Sequence, residues 1–570
     1  MKITFVHAPE DYYDQNYGTQ FAPLWAFYLA AYVPANWEVE VVDCRLEKAA
    51  NCKKADVFAF SGINQDYNSM SKVHKLLKAK YPESTFIVGG PITWSFKQEK
   101  KIETLFEYDH VFVLDGEEAL PQFLASYENG THKKLEKVIE SPRYPFSQAK
   151  QIRFDLIKDK ASQYYGAIVE ASRGCPFLCE FCDIRVLPSN NQTNVKSIPL
   201  FISEIDAYYK LGITNFQIAS DNFIGKSGWA EACVDALIEW KEKNKAQISL
   251  FTWLTINIYK NTELMTKMRK AGFSILFIGI ESVNSNSLLE TAKVQNLNVL
   301  EDAVKIVHSH GFIIAPGLIF GFDSDPTTIF DDTLKFIDET GIVGADPSFL
   351  MALAGTPLYE RMRKSGRLIE RKDERGIERK KVSTNIRYLQ NSDFLAHGFM
   401  KFVAGFIDPK FQLRRLKSHI ALVMEKGNYI AVGKTGYANP WIYLRNQIGN
   451  LGNLKMMMQR LFFLARPDRL YTTFYGLYLV KRQASKYPDL TTSYFYWLYS
   501  WTNMALKYQG VTVKDFGLHS VPSDFNRSQL LNQAELSEEV RSKMKTDGVK
   551  VDIQTSYTKK AMEKLVAEGK

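Results

Sequence analysis

Short apolar runs separated by helix-length stretches organise the first two thirds of the chain. KITFVHAP at the start, EVEVVD (38–43), DVFAFSG (56–62), TFIVGG (85–90) and HVFVLDGEE (110–118) read as strands. The segments between them carry helical spacing, and this alternation predicts a doubly wound parallel sheet with helices on both faces. A Pro- and Lys-containing stretch from 140 to 155 reads as a linker. Six further runs follow: AIVEAS (167–172), NFQIAS (215–220), LFTWLTI (250–256), ILFIGIE (275–281), IIAPGLIFGF (313–322) and PSFLMAL (347–353). Each precedes a helical pattern, which predicts a partial (β/α)6 barrel. Beyond about residue 355 the strand signal stops. KDERGIERKK (372–381) reads as a solvated connection, 390–510 as helices unusually rich in aromatics, and the last stretch as a polar tail with one weak amphipathic helix. The expected α/β organisation is therefore an open-sheet domain (1–145), a partial barrel (146–370), an α-helical region (371–525) and a tail (526–570).

Composition narrows the classes. Over 570 residues, 45% are hydrophobic and 24% charged, which excludes a disordered or collagen-like chain. The net charge of +9, spread over this length, admits an anionic partner without demanding one, and no nucleic-acid partner is expected. Six cysteines are too few for a disulfide scaffold. The N-terminus lacks the series of a signal peptide, and no apolar run approaches the roughly 18 residues of a membrane span. The expectation is a cytoplasmic chain whose membrane contact, if any, is at the surface.

The strongest chemical signal is SRGCPFLCEFC, a C-x3-C-x2-C array of Cys175, Cys179 and Cys182 directly after a strand. Three thiolates in one loop, with Gly174 and Pro176 blocking a helix, suit a soft metal centre. A structural zinc site would need a fourth Cys or His, and none lies between 150 and 200. Three ligands instead suit a four-iron cluster with one iron left open. In the first domain the carboxyl ends of the strands carry Ser61-Gly62, Gly89-Gly90 and Asp115-Gly116-Glu117, where ligands of open α/β sheets sit. The same glycines are equally a normal way to leave a strand.

Other features read as structural. Cys44, Cys52 and Cys233 have no matched partners, and His308-x-His310 reads as a helix-terminal pair. No phosphate loop of the Walker type is present. The aromatic C-terminal helices read first as core. Arg460, Arg466, Arg469, Lys481 and Arg482 punctuate them, which also admits a membrane surface or a greasy substrate.

The cysteine array, with Phe181 before its last member, resembles the signature of the radical S-adenosylmethionine (radical SAM) superfamily. The later strands supply matching elements in order: ASDNFIG (219–225), TWLTIN, FIGIES and GLIFGF. The resemblance implies that Cys175, Cys179 and Cys182 hold a 4Fe-4S cluster. It implies that Phe181, Asp221, Asn222, Thr255, Asn257, Glu281, Ser282 and Gly317 line the S-adenosylmethionine site. With the N-terminal sheet, CEFCDI, GFDSD (321–325), AGTPLYERMRKSGRL (354–368) and TNIRYLQ…GFMKFVAGFIDPKFQLRR (384–415), most of the chain resembles the cobalamin-binding radical SAM proteins that include the hopanoid C-2 methylase. This implies that Ser61, Gly62, Gly89, Gly90, Asp115, Gly116 and Glu117 border a cobalamin. The Asp-x-His-x-x-Gly motif of histidine-ligated cobalamin proteins is absent.

What the resemblance implies chemically is a C-methyltransferase acting on an unactivated carbon of a lipid-like or isoprenoid-derived substrate, supplied by an external electron donor. No side chain is singled out as acid, base or nucleophile. A cyclase or rearrangement enzyme with the same cofactors is the second enzymatic reading. A cofactor-binding protein without turnover is a reading from another class.

Overall fold

The computed structural model describes residues 1–10, 21–369, 382–425, 427–432 and 451–525. Met1–Ser172 and Asn194–Ala219 belong to one compact unit. Residues 451–457 also fall in the first, and the described residues within Arg173–Thr193, Ser220–Thr435 and from Met458 on fall in a second.

In the first unit, β1 (Lys2–His7), β3 (Glu38–Asp43), β4 (Val57–Ser61), β5 (Thr85–Gly89), β6 (His110–Val113) and β7 (Val138–Glu140) form one sheet in the order β3-β1-β4-β5-β6-β7. Every pairing in it is parallel. The strands are nearly continuous apolar runs because helices cover both faces. These are α1 (Leu24–Leu29), α2 (Tyr67–Lys80), α3 (Pro91–Gln98) and α4 (Gly116–Glu128). Phe58, Phe60, Phe86, Val88, Ile92, Phe96 and Tyr108 pack into one core with Cys52, and Cys44 lies against it. The predicted five strands all form. The sixth, β7, stands at the sheet edge, where the supposed linker begins. The two-residue strand β2 (Phe21–Ala22) pairs in parallel with β8 (Gly166–Arg173), whose other partners are β9 (Asn194–Val195) and β10 (Asn215–Ser220). Helix α5 (Ile198–Lys210) precedes β10.

In the second unit, β11 (Ser249–Leu254), β12 (Phe273–Glu281), β13 (Ile313–Phe320) and β14 (Asp346–Phe349) pair successively and in parallel. Before, between and after them run α6 (Ser227–Asn244), α7 (Thr262–Ala271), α8 (Ser285–Glu290), α9 (Leu300–Ser309), α10 (Ile329–Thr340) and α11 (Pro357–Lys364). All six barrel strands predicted from the sequence are present. The third stops earlier than LFTWLTI suggests: Thr255 leaves the strand and precedes a 3-10 turn at Ile256–Lys260.

The C-terminal region carries α12 (Ser392–Ile407), α13 (Pro409–Glu425), α14 (Leu451–Leu464), α15 (Pro467–Gln483) and α16 (Leu490–Lys507). It is not purely helical. β15 (Val382–Tyr388) pairs in parallel with β16 (Phe516–Ser520), so TNIRYLQ opens in a strand rather than in a helix. Thr384, Ile386 and Tyr388 point inward at period two, and Tyr388 donates to the carbonyl of Leu350 at 2.7 Å. The charge run at 372–381 and the tail at 526–570 lie outside the described residues. Among the described residues no helix is long and apolar enough to cross a membrane.

Candidate functional site

Within the second unit the cysteine loop is set by its first glycine. Gly174 has φ +94° and its N–H donates to Asp221 Oδ2 at 2.6 Å. A Cβ there would lie 2.1 Å from the carbonyl oxygen of Gln192 and 2.9 Å from that of Asn190. Only glycine fits. Cys175 N then donates to that Asn190 carbonyl at 2.9 Å, Glu180 N to the Thr291 carbonyl at 2.9 Å, and Cys182 N to the Cys179 carbonyl at 3.2 Å. The three cysteines are free thiols, Cys179 buried and the others half-buried. Burial pushes the Cys175 thiol up to about 11 and the Cys182 thiol higher still, with the neighbouring cysteines adding to each rise. Such thiols ionise when a metal supplies the compensating charge.

Among the described residues no three ligating side chains converge tightly enough for a single metal ion. A four-iron cluster places each cysteine on a different iron, so three thiols grouped on one loop without meeting at one point fit it. Two amide donors face these sulfurs. Asn222 Nδ2 stands 3.9 Å from Cys175 Sγ, and Gln295 Nε2 stands 3.6 Å from Cys179 Sγ.

Asp221 and Asn222 reach this loop from the end of β10, and the remaining candidates sit at or just beyond the ends of β11 and β12, on β13 and on the loop itself. Asn222 is buried, its Nδ2 also reaches Thr255 Oγ1 at 3.4 Å, and its Oδ1 has no protein partner. An unpartnered buried oxygen suits a bound ammonium or N–H donor. Asp221 is committed through Oδ2 to Gly174. Thr255 and Asn257 bond one another through Oγ1 and Oδ1. Glu281 ends β12 at φ +64° and pairs with Lys293 at 2.9 Å. A Cβ on Gly279 would meet Glu281 Oε1 at 2.1 Å and Lys293 Nζ at 2.9 Å, so this glycine makes room for the pair. Burial opposes the Lys293 charge. Glu281 and the Cys179 and Cys182 thiols more than offset that and raise its pKa. Ser282 is buried and accepts from Asn284 N at 3.1 Å. Gly317 leaves the space that a side chain would take against Phe277, 3.1 Å from a built Cβ. Phe181 meets Phe322 edge-on at 6.4 Å.

Several residues here were not singled out in the sequence. Lys293, Gln295 and Asn296 follow α8, and Asn296 Nδ2 caps the carbonyls of Gly279 and Ile280 at 2.9 Å each. Behind the loop, Arg361 forks onto Glu180 at 2.8 and 3.2 Å and reaches Asp323 at 3.2 Å. Arg367 grips Asp323 at 2.6 and 2.7 Å. Glu290 accepts from the backbone of Asp323 and Ser324. Burial opposes ionisation of Asp323, and the two guanidiniums hold its pKa below the usual carboxylate range. The motif fragments CEFCD, GFDSD and LYERMRKSGR are thus one buried ionic network.

In the first unit, β1 and β4 flank the point where the strand order reverses, the place open α/β sheets use for ligands. Their carboxyl ends carry His7-Ala8 and Ser61-Gly62. His7 Nδ1 accepts from Trp25 Nε1 at 3.2 Å, and burial lowers its pKa to about 4, so it stays neutral. Gly90 (φ +84°) is packed against this end: a Cβ would meet Ser61 Oγ at 2.2 Å. On Gly62 it would meet Met70 Sδ at 2.6 Å and Asp66 at 2.9 Å. These two glycines are required by the chain itself. Gly89 and Gly116 have ordinary room for a Cβ. Asp115 is engaged by Tyr144 N at 2.7 Å and Arg143 Nε at 3.1 Å, and Glu117 is buried. His308 and His310 end α9 and bond backbone carbonyls, as a helix-terminal pair does.

A parallel sheet of flavodoxin-like order, followed along the chain by a three-cysteine loop and a parallel (β/α) array, matches the expected pairing of a cobalamin-binding sheet with a radical SAM barrel. Family comparison agrees: residues 13–124 match the B12 binding domain and residues 169–337 match the radical SAM superfamily. The chain thus joins a B12 binding domain to a radical SAM domain, and the cofactors of that pairing are cobalamin, a 4Fe-4S cluster and S-adenosylmethionine. It is 27% identical over 445 residues to the hopanoid C-2 methylase of Rhodopseudomonas palustris (strain TIE-1), covering 75% of this chain and 80% of that one. It is 30% identical over 352 residues to an uncharacterized methyltransferase of Synechocystis sp. (strain ATCC 27184 / PCC 6803 / Kazusa), covering 61% of this chain and only 64% of that relative's length. The fold is that of the cobalamin-dependent S-adenosylmethionine radical enzyme OxsB, solved with aqua-cobalamin and S-adenosylmethionine bound. That likeness has a TM-score of 0.55 at 13% identity and covers 99% of this chain and 84% of the other.

Proposed function

We propose that the chain is a cobalamin-dependent radical SAM C-methyltransferase acting on an unactivated carbon of a lipid-like or isoprenoid-derived substrate, reduced by an external electron donor. The observation that carries this reading is the extent of the likeness to the hopanoid methylase. At 445 residues it is longer than the whole stretch from 13 to 337 bracketed by the two domain matches. The similarity therefore includes sequence outside the cofactor-binding parts.

When bound, the cluster and S-adenosylmethionine supply an organic radical that takes hydrogen from an inert C–H bond, and cobalamin supplies the methyl group. The side chains hold and orient. Cys175, Cys179 and Cys182 are the cluster ligands, and Gly174 with Asp221 shapes their loop. Asn222 offers a desolvated oxygen to the methionine ammonium. Glu281, held in place by Lys293, offers its carboxylate to ribose hydroxyls, while Gly317 leaves room for the adenine. Ser61 and the neighbouring strand ends border the corrinoid. The test is anaerobic reconstitution with cobalamin, methyl-labelled S-adenosylmethionine and a cell extract, followed by mass spectrometry. Label in an apolar product supports the reading, and label confined to protein or nucleic acid would refute the substrate class.

A further inference from the structure

Helix α15 presents two opposite stripes. Thr472, Gly476 and Val480, four apart, are buried. A Cβ on Gly476 would lie 2.9 Å from Leu416 and 3.3 Å from Trp497, so α15 packs closely on α13 and α16. The core beneath holds Trp497, Trp501, Leu416 and Val480. The opposite stripe is exposed among the described residues: Tyr471 is 63% exposed, Phe474 62% and Tyr478 53%. Leu470 continues it, and at the end of α14 Phe462 is 69% exposed and Leu461 53%. Buried tryptophans under an outer layer of exposed aromatics are more than a core requires. Contiguous apolar exposure on this scale marks a binding surface.

Charge identifies the occupant. From Met458 to Lys486 the chain carries Arg460, Arg466, Arg469, Lys481, Arg482 and Lys486 against one acid, Asp468. Arg466 precedes α15, and Lys481 with Arg482 extends its outer stripe one turn beyond Tyr478, all three exposed. Aromatic rings in the middle of a helix face with cations at both ends match a bilayer interface, where rings sit at headgroup depth and cations meet lipid phosphates.

We propose that the outer face of α14–α15 docks the enzyme on the surface of an anionic lipid bilayer, lying in the interface without crossing it. This stands on exposure and charge and does not depend on which reaction is catalysed. The test is flotation of the cluster-loaded protein with vesicles of phosphatidylcholine alone or of phosphatidylcholine and phosphatidylglycerol in equal parts. Binding is expected only to the anionic vesicles and should weaken with salt. Phe474→Ser with Tyr478→Ser, and separately Lys481→Glu with Arg482→Glu, should each reduce binding about tenfold or more. Deoxyadenosine formation in solution should be unchanged, which shows that the variants fold. Equal flotation of wild type and both variants would overturn the proposal. So would a wild-type dimer in light scattering that the aromatic variant converts to monomer without any vesicle binding, because the face would then belong to a second copy.

Discussion

Glu180, set between the second and third cysteines, and Arg361, on α11, meet in a buried two-pronged ion pair although 181 positions separate them. The pair ties the cysteine loop to α11. Through Asp323 and Arg367 it also ties the loop to the end of β13. Leu358 N donates to the Glu180 carbonyl at 3.2 Å, so backbone and side chain hold the same junction. Both partners are almost fully buried, and removing one leaves the other's charge desolvated.

Arg361→Met should therefore be the most damaging single change in this network, because Arg361 serves two carboxylates. Loss of one partner of a buried pair costs about 3–5 kcal/mol. Glu180→Gln should cost less, since Arg361 keeps Asp323. Iron per chain after anaerobic reconstitution should fall in the order wild type, Glu180→Gln, Arg361→Met. Lys401→Ala removes an exposed pair with Asp331 and serves as the control, with an effect of at most about 1 kcal/mol. Equal iron content in all four proteins would show that the network does not position the loop.

The cluster assignment is tested by replacing Cys175, Cys179 and Cys182 together with Ala. Iron incorporation and deoxyadenosine formation should both vanish while far-ultraviolet circular dichroism is kept. Gly174→Ala should lose the cluster as well, because its Cβ would collide with the Gln192 carbonyl. Gly130→Ala, also at positive φ (+67°) but with nothing within 4 Å, should cost only about 1 kcal/mol. Iron retained in the triple variant would contradict the assignment.

Cobalamin should co-elute with the chain after incubation with hydroxocobalamin. With Nδ1 of His7 engaged by Trp25 and no histidine motif, the reduced Co(II) form should show no splitting from a nitrogen lower ligand in its electron paramagnetic resonance spectrum. Nitrogen splitting that disappears in His7→Ala would instead identify His7 as that ligand. Substitutions at Gly62 or Gly90 are poor probes, since both glycines are packed against their own chain.

Acid should destabilise the second unit through a pair of neutral imidazoles. His308 and His419 stand edge-to-face at 4.7 Å. Burial lowers the pKa of His308 to about 4, and burial together with His308 lowers His419 well below its usual value. A group whose folded pKa is depressed contributes stability that is complete above its unfolded value near 6.5 and lost as pH falls. The denaturation midpoint of the cluster-free chain should drop between pH 6.5 and 4. His308→Gln with His419→Gln should flatten that slope. An unchanged slope would assign the acid sensitivity elsewhere.

The central strands of both sheets were legible because buried parallel strands leave unbroken apolar runs between helical patterns, whereas the short strands β2, β7 and β9 were not. Nor were β15 and β16. VSTNIRY shows its period of two only once Thr384 is known to face inward, and its partner lies more than a hundred residues away. The cysteines, Asn222 and Glu281 were readable as motif positions. Lys293 and Gln295 were not, because what matters about them is the approach of the α8 segment to the cysteine loop. CEFCD, GFDSD and LYERMRKSGR were visible as fragments, but their charges pair across distances no local pattern encodes. The aromatic helices carried two signals in one composition, a core stripe through Trp497 and an exposed stripe through Phe474, which only three-dimensional packing separates.

The central claim is methyl transfer by two uses of S-adenosylmethionine, and product stoichiometry tests it most directly. One molecule gives up its methyl group and leaves as S-adenosylhomocysteine. Another is reductively cleaved to methionine and, after hydrogen abstraction, 5′-deoxyadenosine. With the authentic substrate, cobalamin and reductant present, both nucleoside products should accumulate in equal amounts, and a labelled methyl group should appear on carbon of an apolar product. Deoxyadenosine accumulating alone, with no label in the product, would contradict methyl transfer and indicate a cyclisation or rearrangement.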